Sequence, residues 1–366
     1  MTTLVRDSGS SGGARRLRDR VLQVAAAVSH PRDPADYLDM FRPLRAGADL
    51  RARVVEVRPE TADAVTVVLQ PGGAWRGHRP GQYVRIGLDV DGVRLWRSYS
   101  LTSAPGAADG LLTITAKAVP DGLVSAHLAQ ELRPGQLIHL DQALGDFVLP
   151  DAAPRKVLFV TGGSGITPVM GMLRAGLDQL EDVVLVHSES SADDVIFGDE
   201  LRVLAEAGRL RLVEQHTDDH GRLDVAALAV LVPDLSERET WACGPAGLLD
   251  AIEEQWAALG QSERLHTERF RPALVESGEG GSVRFTGTGT VVEVDGATPL
   301  LDAGEQAGLL MPSGCRMGIC FSCVLPLHEG SVRDLRSGDV TTAAPGDGVI
   351  IQTCVSAAAG ACDIDL

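Results

Sequence analysis

The chain has 366 residues, enough for two or three domains, and its 44% hydrophobic and 23% charged content is ordinary for a globular protein. Its net charge of −17 excludes nucleic acid as a natural partner, because phosphate backbones select basic surfaces. No apolar run approaches the roughly 20 residues needed to span a bilayer.

The first residues are basic and rich in Ser and Gly, with no uninterrupted apolar segment of the secretory kind, so a cytoplasmic location is expected. Residues 1 to about 16 have nothing to bury and read as disordered. Residues 17–29 carry helical periodicity, and a second short helix capped by Asp33 is expected up to Leu44. Together these form an N-terminal extension, residues 1–50, whose expected role is packing.

Over residues 51–150 the texture changes to six short β-rich runs, among them RARVVEV, AVTVVLQ and LLTITAKAV, with Pro/Gly turns between them. A single helical stretch, VSAHLAQEL, interrupts them. This pattern predicts an antiparallel β-barrel. Residues 151–272 alternate strand and helix, beginning with KVLFVTGG, and predict a doubly wound parallel α/β sheet. Residues 273–281 read as an exposed linker, and residues 282–366 as a small β-rich module.

That last module holds CRMGICFSC, a C-x4-C-x2-C run, with thirty residues between Cys323 and Cys354. Cys315, Cys320, Cys323 and Cys354 thus have the plant-type spacing for a [2Fe–2S] cluster, two thiolates per iron. Zinc sites usually pair two short C-x2–4-C units, and the second unit is absent here. Gly314 and Gly318 supply the permissive backbone that such a loop needs. The fourth thiolate is expected on the strand-like segment VIIQTCV, and Cys362 in the final strand is expected to be structural.

Four further motifs carry chemistry. Arg97-Ser98-Tyr99-Ser100 ends a barrel strand, and Gly122-Leu123-Val124-Ser125 opens the barrel's helix, where an N-terminus favours phosphate. Gly162 to Pro168 joins a strand to a helix, where glycine lets a pyrophosphate approach, although Pro168 stands in place of the third fingerprint glycine. Cys243-Gly244-Pro245 ends another strand, where open α/β sheets bind ligands. His127, His139 and His187 lack metal-ligand spacing, and His216 and His220 read as part of a solvated loop. No nucleophile elbow or Walker sequence is present.

In this order the motifs resemble the ferredoxin–NADP reductase superfamily, from about Arg51 to Phe270. With the cysteine module attached, the chain is similar to fused oxygenase-type reductases such as phthalate dioxygenase reductase and the phenylacetyl-CoA and hybrid-cluster protein reductases. HPRDPADYLDMF also resembles actinobacterial reductases associated with fatty-acyl desaturases. The resemblance implies a flavin-binding barrel, a nicotinamide domain and a β-grasp ferredoxin domain. It implies that Arg97 pairs with the flavin phosphate, Tyr99 lies against the isoalloxazine and Ser100 hydrogen-bonds near N5. Ser98 belongs to the same motif, Thr115 and Lys117 would line the flavin, and Gly122, Leu123, Val124 and Ser125 would meet phosphate. Gly163, Gly165, Thr167 and Pro168 would underlie the dinucleotide and the flavin edge. Cys243, with Gly244 and Pro245, would approach the nicotinamide ring. Phe270 is either a lid on the flavin or a core residue.

By this resemblance FAD rather than FMN is the expected flavin, NAD(P)H the donor, and electrons leave through the cluster to a separate oxygenase, fatty-acyl desaturase or cytochrome P450. The protein is expected to be a monomer and to contribute position and electrostatics rather than bond-making side chains. Ser100 and Cys243 are then the catalytic positions. Glu189 at a strand end, followed by Ser190, leans toward NADH, while Arg209, Arg211 or Arg222 could still reach a 2′-phosphate. From Glu276 onward twelve acidic residues stand against four basic ones, which either steers a basic acceptor or merely confers solubility. A redox-sensing protein that uses its cluster as a signal is the alternative reading.

Overall fold

The computed structural model describes residues 34–90, 93–119, 122–270 and 278–366. The expected disorder before residue 17, the helix over 17–29 and most of the expected linker lie outside these residues. The second short helix is present as Pro34–Phe41 and is shorter than its expected span.

Strands β1 (Arg51–Pro59), β2 (Ala64–Pro71), β3 (Tyr83–Val90), β4 (Val93–Ser100), β5 (Leu112–Lys117) and β6 (Leu137–Leu140) form one antiparallel sheet ordered β4-β3-β6-β1-β2-β5. A bridge between Leu101 and Ile114 brings its two edge strands together, which closes the sheet as the turn-rich pattern predicts. Alternate residues such as Val54, Val67, Ile86 and Ile114 point inward and are buried, and Leu128 of the helix Leu123–Gln130 plugs the same core.

Strands β7 (Lys156–Gly162), β8 (Asp182–Glu189), β9 (Arg211–His216), β10 (Glu239–Cys243) and β11 (Leu265–Glu268) form a parallel sheet ordered β11-β10-β7-β8-β9. Its central strands β7, β8 and β10 are largely buried on both faces because helices cover both, whereas the edge strands β9 and β11 are more polar. Phe159 packs on one side with Val169 of the helix Ile166–Gly176, and Leu158 and Val160 on the other with Ile252 and Trp256. Strand order reverses about β7, so the ends of β7 and β10 frame a crevice of the ligand-binding kind.

The C-terminal module comprises β12 (Gly278–Phe285), β13 (Thr290–Gly296), β14 (Val324–Asp334), β15 (Val340–Ala343), β16 (Ile350–Gln352) and β17 (Ser356–Ile364), around the helix Leu300–Gln306. Two expectations change here. Strand β12 begins at Gly278, inside the expected linker, because a bulge between Gly278 and Gly281 lets the chain pair with β13. Cys354 lies in the turn after β16 rather than on a strand. Cys362 is buried in β17, as expected of a structural residue.

Candidate functional site

The end of β4, the end of β5 and the crevice of the parallel sheet face one another across a cleft that encloses about 790 Å³, open solvent included. The barrel contributes Tyr83, Arg97, Ser98, Tyr99, Ser100, Thr115 and Lys117 to its wall. The parallel sheet contributes Ser164, Thr167, Glu268 and Phe270, and the cysteine module closes it with Cys315, Arg316 and Met317. Three domains therefore meet at one cleft.

The wall suits a flat ring with a polar edge. The Ser98 and Ser100 hydroxyls are buried and have no hydrogen-bond partner among the described residues, and neither has one carboxylate oxygen of Glu268. Orphaned groups of this kind belong to a site that a ligand completes. Burial raises the Glu268 carboxyl to about 8, so it is a neutral acid at pH 7. Burial likewise raises the Tyr99 hydroxyl, and burial followed by the charge of Glu268 raises the Cys243 thiol. Cys243 is thus a thiol rather than a thiolate. Phe270 is 39% exposed and lines the cleft, which fits the lid reading and not the core one.

Gly163, at φ +56°, makes the turn out of β7. A Cβ on Gly165 would stand 2.1 Å from the Cys243 carbonyl oxygen, so this glycine lets the ends of β7 and β10 close together. Thr167 donates to the Ser164 carbonyl at 2.9 Å and is held at the cleft wall, whereas Pro168 is buried in the helix behind it. Cys243 is fully buried beside Gly244 and Pro245, and it lies in register with Glu268 on β11.

Other expected residues stand elsewhere. Gly122, Leu123, Val124 and Ser125 are not part of the cleft wall; the Ser125 hydroxyl donates to the Gly122 carbonyl at 3.1 Å and accepts from the Val119 N–H. Only the backbone of that helix start is left for a phosphate. Glu189 is buried with its carboxylate 3.1 Å from Lys117 Nζ of the barrel. Of the histidines, His187 is buried and bonded to Thr161, and burial holds it neutral, lowering it to about 3.

The four cysteines form two thiol pairs. Cys323 and Cys354 have their sulfurs 3.2 Å apart, and the Cys315 N–H donates to the Cys320 sulfur at 3.1 Å. The Ser322 N–H points to the Cys320 sulfur and the Met317 N–H to that of Cys315. Among the described residues no group of three or more Cys, His, Asp or Glu is arranged about a single ion. Within each pair hydrogen bonding lowers one thiol, Cys320 through Cys315 and Cys323 through Cys354. A Cβ on Gly314 would meet the Cys320 sulfur at 2.4 Å, so only glycine allows that approach.

Contacts between the barrel and the cysteine module were absent from the sequence reading. Arg97 donates to Ser313 Oγ at 2.8 Å and lies 3.5 Å from the Glu305 carboxylate. Burial, and then the nearby Arg316, lowers the Arg97 guanidinium to about 10. Arg316 is itself paired with Asp302 and Glu305. Arg85 reaches Ser322 Oγ at 3.1 Å.

Three family models match the chain in order: an oxidoreductase FAD-binding domain over residues 61–149, an oxidoreductase NAD-binding domain over 159–254, and a 2Fe–2S iron–sulfur cluster binding domain over 283–359. An NADPH oxidoreductase of Mycobacterium tuberculosis is 47% identical over 351 residues, covering 94% of this chain and 91% of the relative. A glycine betaine monooxygenase reductase subunit of Pseudomonas aeruginosa is 32% identical over 75% of this chain and 84% of its own length. The solved phthalate dioxygenase reductase shares the fold, with a TM-score of 0.59 at 22% identity, over 86% of this chain and 97% of that one. The matched domains, in this order and over nearly the whole chain, show that it belongs to the ferredoxin-reductase family of NAD(P)H oxidoreductases that join FAD-binding, NAD-binding and [2Fe–2S] domains in one polypeptide.

Proposed function

We propose that this chain is the reductase component of an oxygenase-type system, and that the three-domain cleft is where its flavin sits. The observation that carries this reading is that Cys315, Arg316 and Met317 of the cluster loop share a wall with Tyr99, Ser100 and Lys117. A hydride arriving as an electron pair needs a carrier that releases electrons singly, and flavin supplies that chemistry when bound. The residues do the rest. Ser98 and Ser100 offer unpartnered hydroxyls to a polar ring edge, and Glu268 holds a proton beside them at neutral pH. Gly165 lets the ends of β7 and β10 close together, with Cys243 buried behind the cleft wall. Phe270 and the cluster loop line the same cleft.

Relatives named as reductase components of monooxygenases, glycine betaine monooxygenase and 3-ketosteroid-9-alpha-monooxygenase among them, support an oxygenase acceptor. The whole route lies within one chain, so a monomer suffices. The relative named an NADPH oxidoreductase supports NADPH among the donors. Replacing Cys320 with Ala tests the reading. The variant should keep NAD(P)H-driven dye reduction and lose at least about tenfold in cytochrome c reduction. Unchanged cytochrome c reduction in a variant lacking the cluster's visible absorption would overturn it.

A further inference from the structure

Arg85 is the point at which the barrel touches the cluster loop's charge. Its Nε donates to Asp141 Oδ2 at 2.6 Å, its guanidinium lies 5.5 Å from the centre of the Trp96 ring, and its Nη1 donates to Ser322 Oγ at 3.1 Å. The Ser322 N–H in turn points to the Cys320 sulfur, so Ser322 links the guanidinium to that thiol. Asp141 and Trp96 fix the planar fork from behind, so the cation is held against the cysteine loop with little freedom to leave.

Resting on the reading that Cys320 ligates the cluster, we infer that Arg85 is an electrostatic positioning residue that raises the cluster's reduction potential and aligns its loop on the flavin side. The argument is one of charge. When one electron arrives, no bond forms or breaks, and the site gains one negative charge. A fixed guanidinium held on Ser322, beside a ligating sulfur, favours that more negative state, and hydrogen bonds and net charge around the sulfurs are the levers by which proteins move such potentials. Backbone N–H groups of the loop itself already serve Cys320, but they are neutral and belong to the same domain. Arg85 adds a whole charge from another domain, so docking of the two domains itself favours the electron's arrival. Asp141 opposes it by partly neutralising the same cation.

This predicts shifts of opposite sign. In full-length holoprotein titrated spectroelectrochemically, with the reduced cluster followed by electron paramagnetic resonance, Arg85→Gln should lower the cluster potential by about 59 mV, a tenfold change for one electron. Asp141→Asn should raise it, and Arg85→Lys should restore most of the loss. The flavin potential serves as the internal reference and should stay constant. A purely structural role for the Arg85–Asp141 pair would move both variants in the same direction or neither, and either result would overturn the inference. A wild-type protein with no cluster signal would instead overturn the reading beneath it.

Discussion

A carboxyl group withdrawn from water without a cation beside it keeps its proton, and Glu268 is such a group. Burial sets its folded value at about 8, against 4.5 for the free side chain. Between those two values the unfolded chain binds fewer protons than the folded one, so stability falls as pH rises from about 4.5 to 8 and then levels off. Thermal melts of the flavin-free chain across this range should show that decline, and Glu268→Gln should flatten it. An unchanged slope in the variant would mean that the carboxyl is ionised throughout. The same residue shows what sequence can tell at this scale. Glu268 sits in a motif, Glu268-Arg269-Phe270, that could be noticed, but its neutral state follows from burial that no motif encodes. The cluster cysteines were legible because three of them share one loop and the fourth follows at a distinctive spacing. The contacts of Arg85 and Arg97 with the cysteine module were not, because their partners Ser322 and Ser313 lie 237 and 216 residues away.

The elements were legible wherever one period dominated. Runs such as AVTVVLQ and KVLFVTGG gave strands, and the alternation of strand with helix gave the parallel sheet. The start of β12 was missed because glycines that look like a linker also permit a bulge. The junction of β7 with its helix shows a similar ambiguity. Gly165 reads as a phosphate-binding glycine, yet the immediate reason for it is the Cys243 carbonyl 2.1 Å from where a Cβ would stand. That obstacle is backbone, so Gly165→Ala must push β10 away from β7 rather than rotate a side chain. Overpacking of this kind costs about 1–3 kcal/mol, and urea denaturation should show it as a lower midpoint at constant slope. A shift of less than about 0.5 kcal/mol would mean that the strand ends have slack. The same displacement should slow flavin reduction by NAD(P)H, because it moves Cys243 and Glu268 together.

At the scale of the molecule two kinds of electrostatics coexist. Within the chain, the barrel and the cluster module meet through short contacts made by Arg85 and Arg97, the latter with a side chain only 16% exposed. Outside, the protein carries −17 in total, and its C-terminal module is strongly acidic. Salt screens exposed charges over about 10 Å at 0.1 M but acts much less on partly buried pairs. The two electron-transfer events should therefore separate in a salt series. Stopped-flow reduction of the cluster within the chain should change less than about twofold between low and 0.5 M salt. Reduction of cytochrome c, a basic acceptor that must diffuse to an acidic surface, should slow by tenfold or more over the same range. If internal reduction fell in parallel, the docked arrangement would itself depend on screened surface charge, and the contacts of Arg85 and Arg97 would not be what holds it. If neither fell, the acidic surface would serve solubility alone, and recognition of the acceptor would rest on apolar groups beside the cluster such as the exposed Ile319 and Phe321.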